Sequence, residues 1–124
     1  MTGQELVAQA TEAAARAYAP YSNYLVGAAV LARDGRLFTG VNVENAAYPL
    51  GVCAERTAIA KAASDGLRPG QLAAIGITAS PCGGCRQWLH EWRFDRVFFA
   101  RADGTVAEYR PDDLLPDTWD LPDA

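Results

Sequence analysis

Long apolar runs are missing from this chain: none approaches the roughly 18 residues that a bilayer span requires, and no charged-then-apolar leader opens it. A membrane partner is disfavoured, and a cytoplasmic location is expected. Clustered cations are missing too, since Lys plus Arg number 11 against 15 Asp plus Glu, a formal net charge of −4 with no long run of either sign. Affinity for a phosphate backbone rests on clustered basic residues, so nucleic acid is a poor partner and a small neutral substrate a better one. Cysteine is scarce and odd in number, at three, which argues against a disulfide framework and for metal binding. Histidine occurs once. The only one, His90, falls five residues after Cys85 on the same expected helix, a step that turns it away from that residue's face. Any fourth protein ligand to a metal must then be an acid or come from another chain.

What is present suffices for one domain. At 124 residues and 50% hydrophobic, the chain should build a single catalytic domain, residues 1–124, around one core. A helix is expected from Thr2 or Gly3, with Leu6, Val7, Ala10, Ala13, Ala14 and Ala17 at helical spacing, until Pro20 ends it. Leu25 to Ala32 and Leu37 to Val43 flank Asp34-Gly35 and read as a hairpin. Val52 to Ser64 reads as a second helix, Leu72 to Thr78 as a buried strand, and Gly83 to Trp92 as a third helix. Arg96 to Ala100 and Thr105 to Tyr109 close the set around Asp103-Gly104, and Pro111 to Ala124 reads as an irregular tail. Five strands and three interleaved helices point to an α/β fold, a three-layer α/β/α sandwich over a five-stranded mixed sheet.

The chemistry gathers at the starts of the second and third helices, in Cys53-Ala54-Glu55-Arg56 and Pro81-Cys82-Gly83-Gly84-Cys85-Arg86-Gln87. Thiolates at helix N-termini are stabilised by the positive dipole end. Three sulfurs fit a catalytic zinc, because structural sites are closed by four protein ligands while catalytic ones keep one position for water. A divalent ion held by three thiolates carries net charge −1, so nearby positive groups are needed, and Arg56 is the candidate. Glu55, two residues from Cys53 in a helix's first turn, can reach over the helix end as general base and then general acid. Each feature has a plainer explanation. The cysteines could be buried small residues or, for Cys82 and Cys85, a redox dithiol that leaves Cys53 unexplained. Glu55 could be an acid favoured by the dipole alone, and Arg56 an exposed ion pair.

Taken together, these motifs resemble the small homotetrameric zinc-dependent cytidine deaminases over nearly the whole chain. The matching segments include Ala17-Tyr18-Ala19-Pro20-Tyr21-Ser22-Asn23, Val26-Gly27-Ala28-Ala29, Gly40-Val41-Asn42-Val43-Glu44-Asn45-Ala46-Ala47-Tyr48, both cysteine motifs and Leu114-Leu115-Pro116. The resemblance implies one zinc per chain on Cys53, Cys82 and Cys85, with Glu55 shuttling protons between the metal's water, ring N3 and the departing ammonia. It implies that Asn42 and Glu44 hold the sugar, that Tyr24 stacks on the base, and that Ala54 also touches substrate. Trp119 and Tyr48 would serve at subunit boundaries, Trp119 reaching into a neighbouring subunit's site. Tyr24 and Trp119 stand where phenylalanine is usual, and the connection from Thr78 to Cys82 is short for the family, so substrate preference is the open question. The implied reaction is hydrolysis of cytidine or 2′-deoxycytidine in pyrimidine salvage. A related deaminase acting on another aminopyrimidine or a modified cytosine nucleoside is the alternative within the class. A structural zinc-binding module is the alternative outside it. Trp88 and Trp92, four apart, are expected in the core or at a subunit interface.

Overall fold

Helix α1, Gly3–Ala14, begins where Thr2 Oγ1 accepts the Glu5 amide at 3.1 Å, satisfying one of the donors that a helix start leaves free. Its stripe of Leu6, Val7, Ala10 and Ala13 is buried. The helix ends six residues before Pro20, earlier than the spacing of its alanines suggests. Tyr18 instead runs extended, donating its amide to Asn42 O (3.0 Å) and accepting from Glu44 N (2.8 Å). That long-range pairing outweighs continued helix.

The computed structural model, in which residues 1–121 are described, continues with β1 (Gly27–Ala32), β2 (Leu37–Val41) and a single 3₁₀ turn (Tyr48–Leu50). Then come α2 (Ala54–Ser64), β3 (Leu72–Ile77), α3 (Gly83–Glu91), β4 (Arg96–Ala100), β5 (Val106–Tyr109) and α4 (Pro111–Leu114). The strands order as β2-β1-β3-β4-β5; only β3 and β4 run parallel, and the other neighbours are antiparallel. The expected five-stranded mixed sheet is therefore what forms. The expected irregular tail contains α4, a short helix with Pro111 at its first position, where a missing N–H costs nothing. Beyond residue 121 that tail lies outside the described residues.

Two apolar layers sandwich the sheet. On one face Leu6 and Ala10 of α1 meet Ala29, with Leu31, Ala74 and Phe98 against them. On the other, Ala58 and Ile59 of α2 and Leu89 of α3 pack on Val30, Ile75, Ile77 and Val97, each burial worth roughly 1.5–3 kcal/mol for a large aliphatic side chain. Trp88 and Trp92 lie against this second cluster, the core side of the two places expected for them.

Gly40 decides how close α2 comes to the sheet. A Cβ there would sit 2.4 Å from Ala58 N and 2.6 Å from Ala54 O, both backbone atoms that cannot move aside individually. Only glycine lets the first turns of α2 rest on β2, and those turns carry Cys53 to Arg56.

Candidate active site

Cys53 and Cys82 are the residues that cap α2 and α3, and Cys85 lies in the first turn of α3. The Cys82 Sγ accepts the Cys85 amide at 3.4 Å, so the glycine turn folds its backbone donor onto a sulfur. All three sulfurs lie within 4.8 Å of one another, with Cys53 and Cys82 at 3.9 Å. Zinc–sulfur bonds of about 2.3 Å in a tetrahedron separate two sulfurs by roughly 3.8 Å. The cluster thus fits one zinc ion, both by its spacing and by its donor chemistry.

The protons on these sulfurs are unequally held. The Cys53 thiol is lowered to about 5, first by its hydrogen bond with Cys85 and then, against the cost of burial, by the Arg56 guanidinium. The Cys85 thiol moves the opposite way, raised by the negative Cys53 sulfur and by burial. One thiolate is already favoured before metal arrives, and a cation must displace the remaining protons. Arg56 Nη2 donates to Cys53 Sγ at 3.3 Å, while Arg56 Nε is buried without a partner. A fixed positive group therefore stands beside the sulfurs.

Glu55 is 4% exposed and is the buried charged side chain among the described residues. Burial raises its carboxyl above the ordinary range, the Cys53 charge adds to the rise, and Cys85 and Arg56 oppose it. It does not join the sulfur cluster. A carboxyl that is desolvated, near a cluster of cysteine sulfurs and on a cavity wall has the properties of a group that exchanges protons.

That cavity encloses about 540 Å³ and is lined by the first turn of α2, by Cys82 and Ser80, and by Tyr24, Asn42, Glu44 and Tyr48. The volume lies within the roughly 300–1,000 Å³ usual for small-molecule sites. Ala54 sits on its wall with no side chain beyond Cβ to obstruct a flat ring. Asn42 and Glu44 fall just past β2, yet both still line the cavity.

The two are partly committed already. Asn42 Oδ1 accepts Val26 N and its Nδ2 donates to Tyr24 O, both at 2.8 Å. Glu44 accepts Tyr21 N (2.9 Å), Ser22 N (3.1 Å) and Ser22 Oγ (2.5 Å), and this last bond leads in holding its carboxyl below the usual range. An amide has two donor hydrogens and a carboxylate about four acceptor sites, so each keeps capacity to spare. The sequence pairs the two residues but gives no sign that they also pin the 21–26 loop on which Tyr24 stands.

Tyr24 is 62% exposed and Tyr48 80% exposed, both at the cavity's open side. Trp119 lies elsewhere: it is 62% exposed, its carbonyl accepts from Gln87 Nε2 at 3.2 Å, and it does not line the cavity of its own chain. His90 is likewise remote from the sulfurs, held between Asp112 and Asp120. Val26, Ile77 and Ser80 also line the cavity without having been given a role in the sequence; the apolar pair shows there only as strand residues, and Ser80 only as the residue before the second cysteine motif.

Comparison with known proteins adds an independent line. Residues 1–101 match the family model described as the cytidine and deoxycytidylate deaminase zinc-binding region. A cytidine deaminase of Sporosarcina psychrophila is 41% identical over 129 residues, covering 99% of this chain and 95% of its own length. One from Mycobacterium tuberculosis is 44% identical over 120 residues, covering 92% and 86% respectively. Among solved structures, a cytidine deaminase from Burkholderia pseudomallei superposes with a TM-score of 0.90 at 44% identity, covering 96% of this chain and 100% of that one.

Proposed function

The chain belongs to the cytidine and deoxycytidylate deaminases, and from that premise we propose that it hydrolyses cytidine or 2′-deoxycytidine to the uracil nucleoside and ammonia. The observation that carries this reading is Glu55, a carboxyl 4% exposed on the wall of the cavity that Cys53 and Cys82 of the three-sulfur cluster also line. When bound by Cys53, Cys82 and Cys85, zinc supplies a Lewis acid that acidifies the attacking water. Arg56 offsets the excess negative charge of three thiolates.

Glu55 carries the protons. It takes one from the water as the oxygen bonds to C4 and delivers it to N3, where it stays. It then moves the remaining proton from the new hydroxyl to the exocyclic amine. The C4–N bond breaks, ammonia leaves, the C4 carbonyl forms, and the carboxyl ends in its starting state.

Asn42 and Glu44 use their spare donor and acceptor capacity on the sugar hydroxyls, and Tyr24 offers a face to the pyrimidine, with stacking worth about 1–3 kcal/mol. Residues 1–124 act as one catalytic domain. The exposed Tyr21, Tyr24, Tyr48, Leu50 and Trp119 support assembly, because apolar side chains of that size are normally covered. In this reading the protein is a homotetramer working in cytoplasmic pyrimidine salvage, with Tyr48 and Trp119 completing sites across subunit boundaries.

A panel of cytosine, adenine and guanine nucleosides and free bases, followed by ultraviolet absorbance with zinc-loaded protein, tests the reaction. Cytidine and deoxycytidine should be consumed and the purine nucleosides left intact. Turnover confined to a compound without a cytosine ring would overturn the assignment. Light scattering on the same sample should give four times the chain mass.

A further inference from the structure

From residue 115 to 121 the chain has no regular secondary structure, yet it and the end of α4 before it are tied to one face of α3. Arg86 Nη1 donates to Leu114 O at 2.9 Å, Gln87 Nε2 donates to Trp119 O at 3.2 Å, and His90 Nε2 meets Asp120 Oδ1 at 2.6 Å. The other imidazole nitrogen, Nδ1, meets Asp112 Oδ1 of α4 at 2.8 Å. Trp119 therefore has its own carbonyl held by Gln87 and the side chain of the next residue held by His90, while the residue itself is left 62% exposed. Such an arrangement presents a side chain outward rather than anchoring it.

A neutral imidazole has one N–H and one lone pair. It can donate to only one of two flanking carboxylates, and its lone pair would face the other at hydrogen-bond distance. Only the imidazolium satisfies both. The remaining charged groups around this groove are Arg93 and Asp95 after α3, Arg96 of β4 and Arg110 before α4. Asp95 is paired with Arg33, Arg96 with Glu108 and Arg110 with Asp113. Asp112 and Asp120 are thus the acids that the imidazole addresses. Burial pulls its pKa down, but hydrogen bonds to these two carboxylates carry it above the ordinary histidine value.

We propose that His90 is a positioning residue: as an imidazolium between Asp112 and Asp120 it latches the tail to α3 and fixes the backbone from which Trp119 reaches a neighbouring subunit's site. The inference rests on the reading of Trp119 given under the proposed function. Because the protonated form is favoured by the fold, the latch is complete at low pH and is lost as pH rises through His90's raised pKa. Substrate binding should weaken with it.

Steady-state kinetics of the zinc-loaded full chain with cytidine, between about pH 6 and 9 where imidazole titrates, separates the possibilities. In the parent protein KM should rise about fivefold across the window, the size expected for losing an exposed ion pair, with no matching step in kcat. His90→Gln should hold KM at the raised value and remove that pH step. Asp120→Asn, an exposed tail change that spares the core, should do the same if His90→Gln folds poorly. Trp119→Ala should raise KM at every pH, and adding His90→Gln to it should change nothing further. If Trp119→Ala raises KM but both latch variants keep the parent's KM and pH profile, the latch is refuted while the Trp119 reading stands. If Trp119→Ala leaves KM unchanged, the shared-site reading fails and the latch's role fails with it.

Discussion

Replacing Glu55 by glutamine tests the chemistry most directly, because the two side chains differ by little more than a proton-accepting oxygen. Glu55 is enclosed, with 4% of its surface exposed, so the amide should occupy the same space and leave the cavity's shape intact. Two proton transfers in the proposed cycle pass through this carboxyl, and positioned acid–base catalysis contributes typically 10²–10⁴-fold per role. A loss of at least about 10³ in kcat, or about 4 kcal/mol, is expected. KM for cytidine should stay within about threefold, since no contact made equally in ground and transition states is removed. Metal should stay as well: the three sulfurs within 4.8 Å of one another do not include this side chain. Atomic absorption should give about one zinc per chain, the stoichiometry of a three-thiolate catalytic site. Glu55→Asp keeps the charge but withdraws it by one methylene, and a misplacement on the order of 1 Å should cost about 10² in kcat. A glutamine variant that retains more than a tenth of parental kcat, or that loses its zinc, would refute the role assigned to Glu55.

Arg56→Gln removes the cation 3.3 Å from Cys53 Sγ; zinc affinity should drop about 10- to 100-fold, measured by competition with a chromogenic chelator, and unchanged affinity would count against charge compensation. Asn42→Ala should cost cytidine kcat/KM about 10- to 100-fold; the part shared with free cytosine reports the loosened Tyr24 loop, and the excess on cytidine reports the lost hydrogen bond to a hydroxyl. Equal losses on both would contradict sugar recognition. Gly40→Ala places a methyl 2.4 Å from Ala58 N, so α2 must shift; destabilisation of about 1–3 kcal/mol in urea melts and a kcat loss of tenfold or more are expected. Gly104→Ala, with nothing within 4 Å of the new carbon but a φ of +88°, should cost about 1 kcal/mol and leave kcat alone.

The parts of this protein that sequence reveals are those whose cause is local. Cys82 and Cys85 are three apart because they cap and enter one helical turn, and Cys53 with Glu55 shares a first turn in the same way. Asp34-Gly35 turns a hairpin because Gly35 takes a φ of +95°, and apolar runs become strands because both sheet faces are covered. Where long-range pairing intervenes, local spacing misleads. The alanines after Ala14 could have continued α1, but the backbone of Tyr18 pairs with Asn42 and Glu44, more than twenty residues onward. Asn42 and Glu44 show the same limit from the other side. The resemblance implies that they hydrogen-bond a sugar, while the structure shows much of that capacity spent on holding the loop that carries Tyr24. Their substitution must then disturb Tyr24 along with the proposed sugar contacts, so a loss measured at either position is an upper bound on its direct bond to substrate. The tail is the extreme case. Arg86, Gln87 and His90 reach partners 28, 32 and 30 residues away, and no periodicity in an irregular segment encodes such bonds. Yet these contacts decide whether Trp119 is a loose end or a presented ring. In the proposed reading, the segment that carries Trp119 is held by the same helix, α3, that Cys82 caps and Cys85 enters.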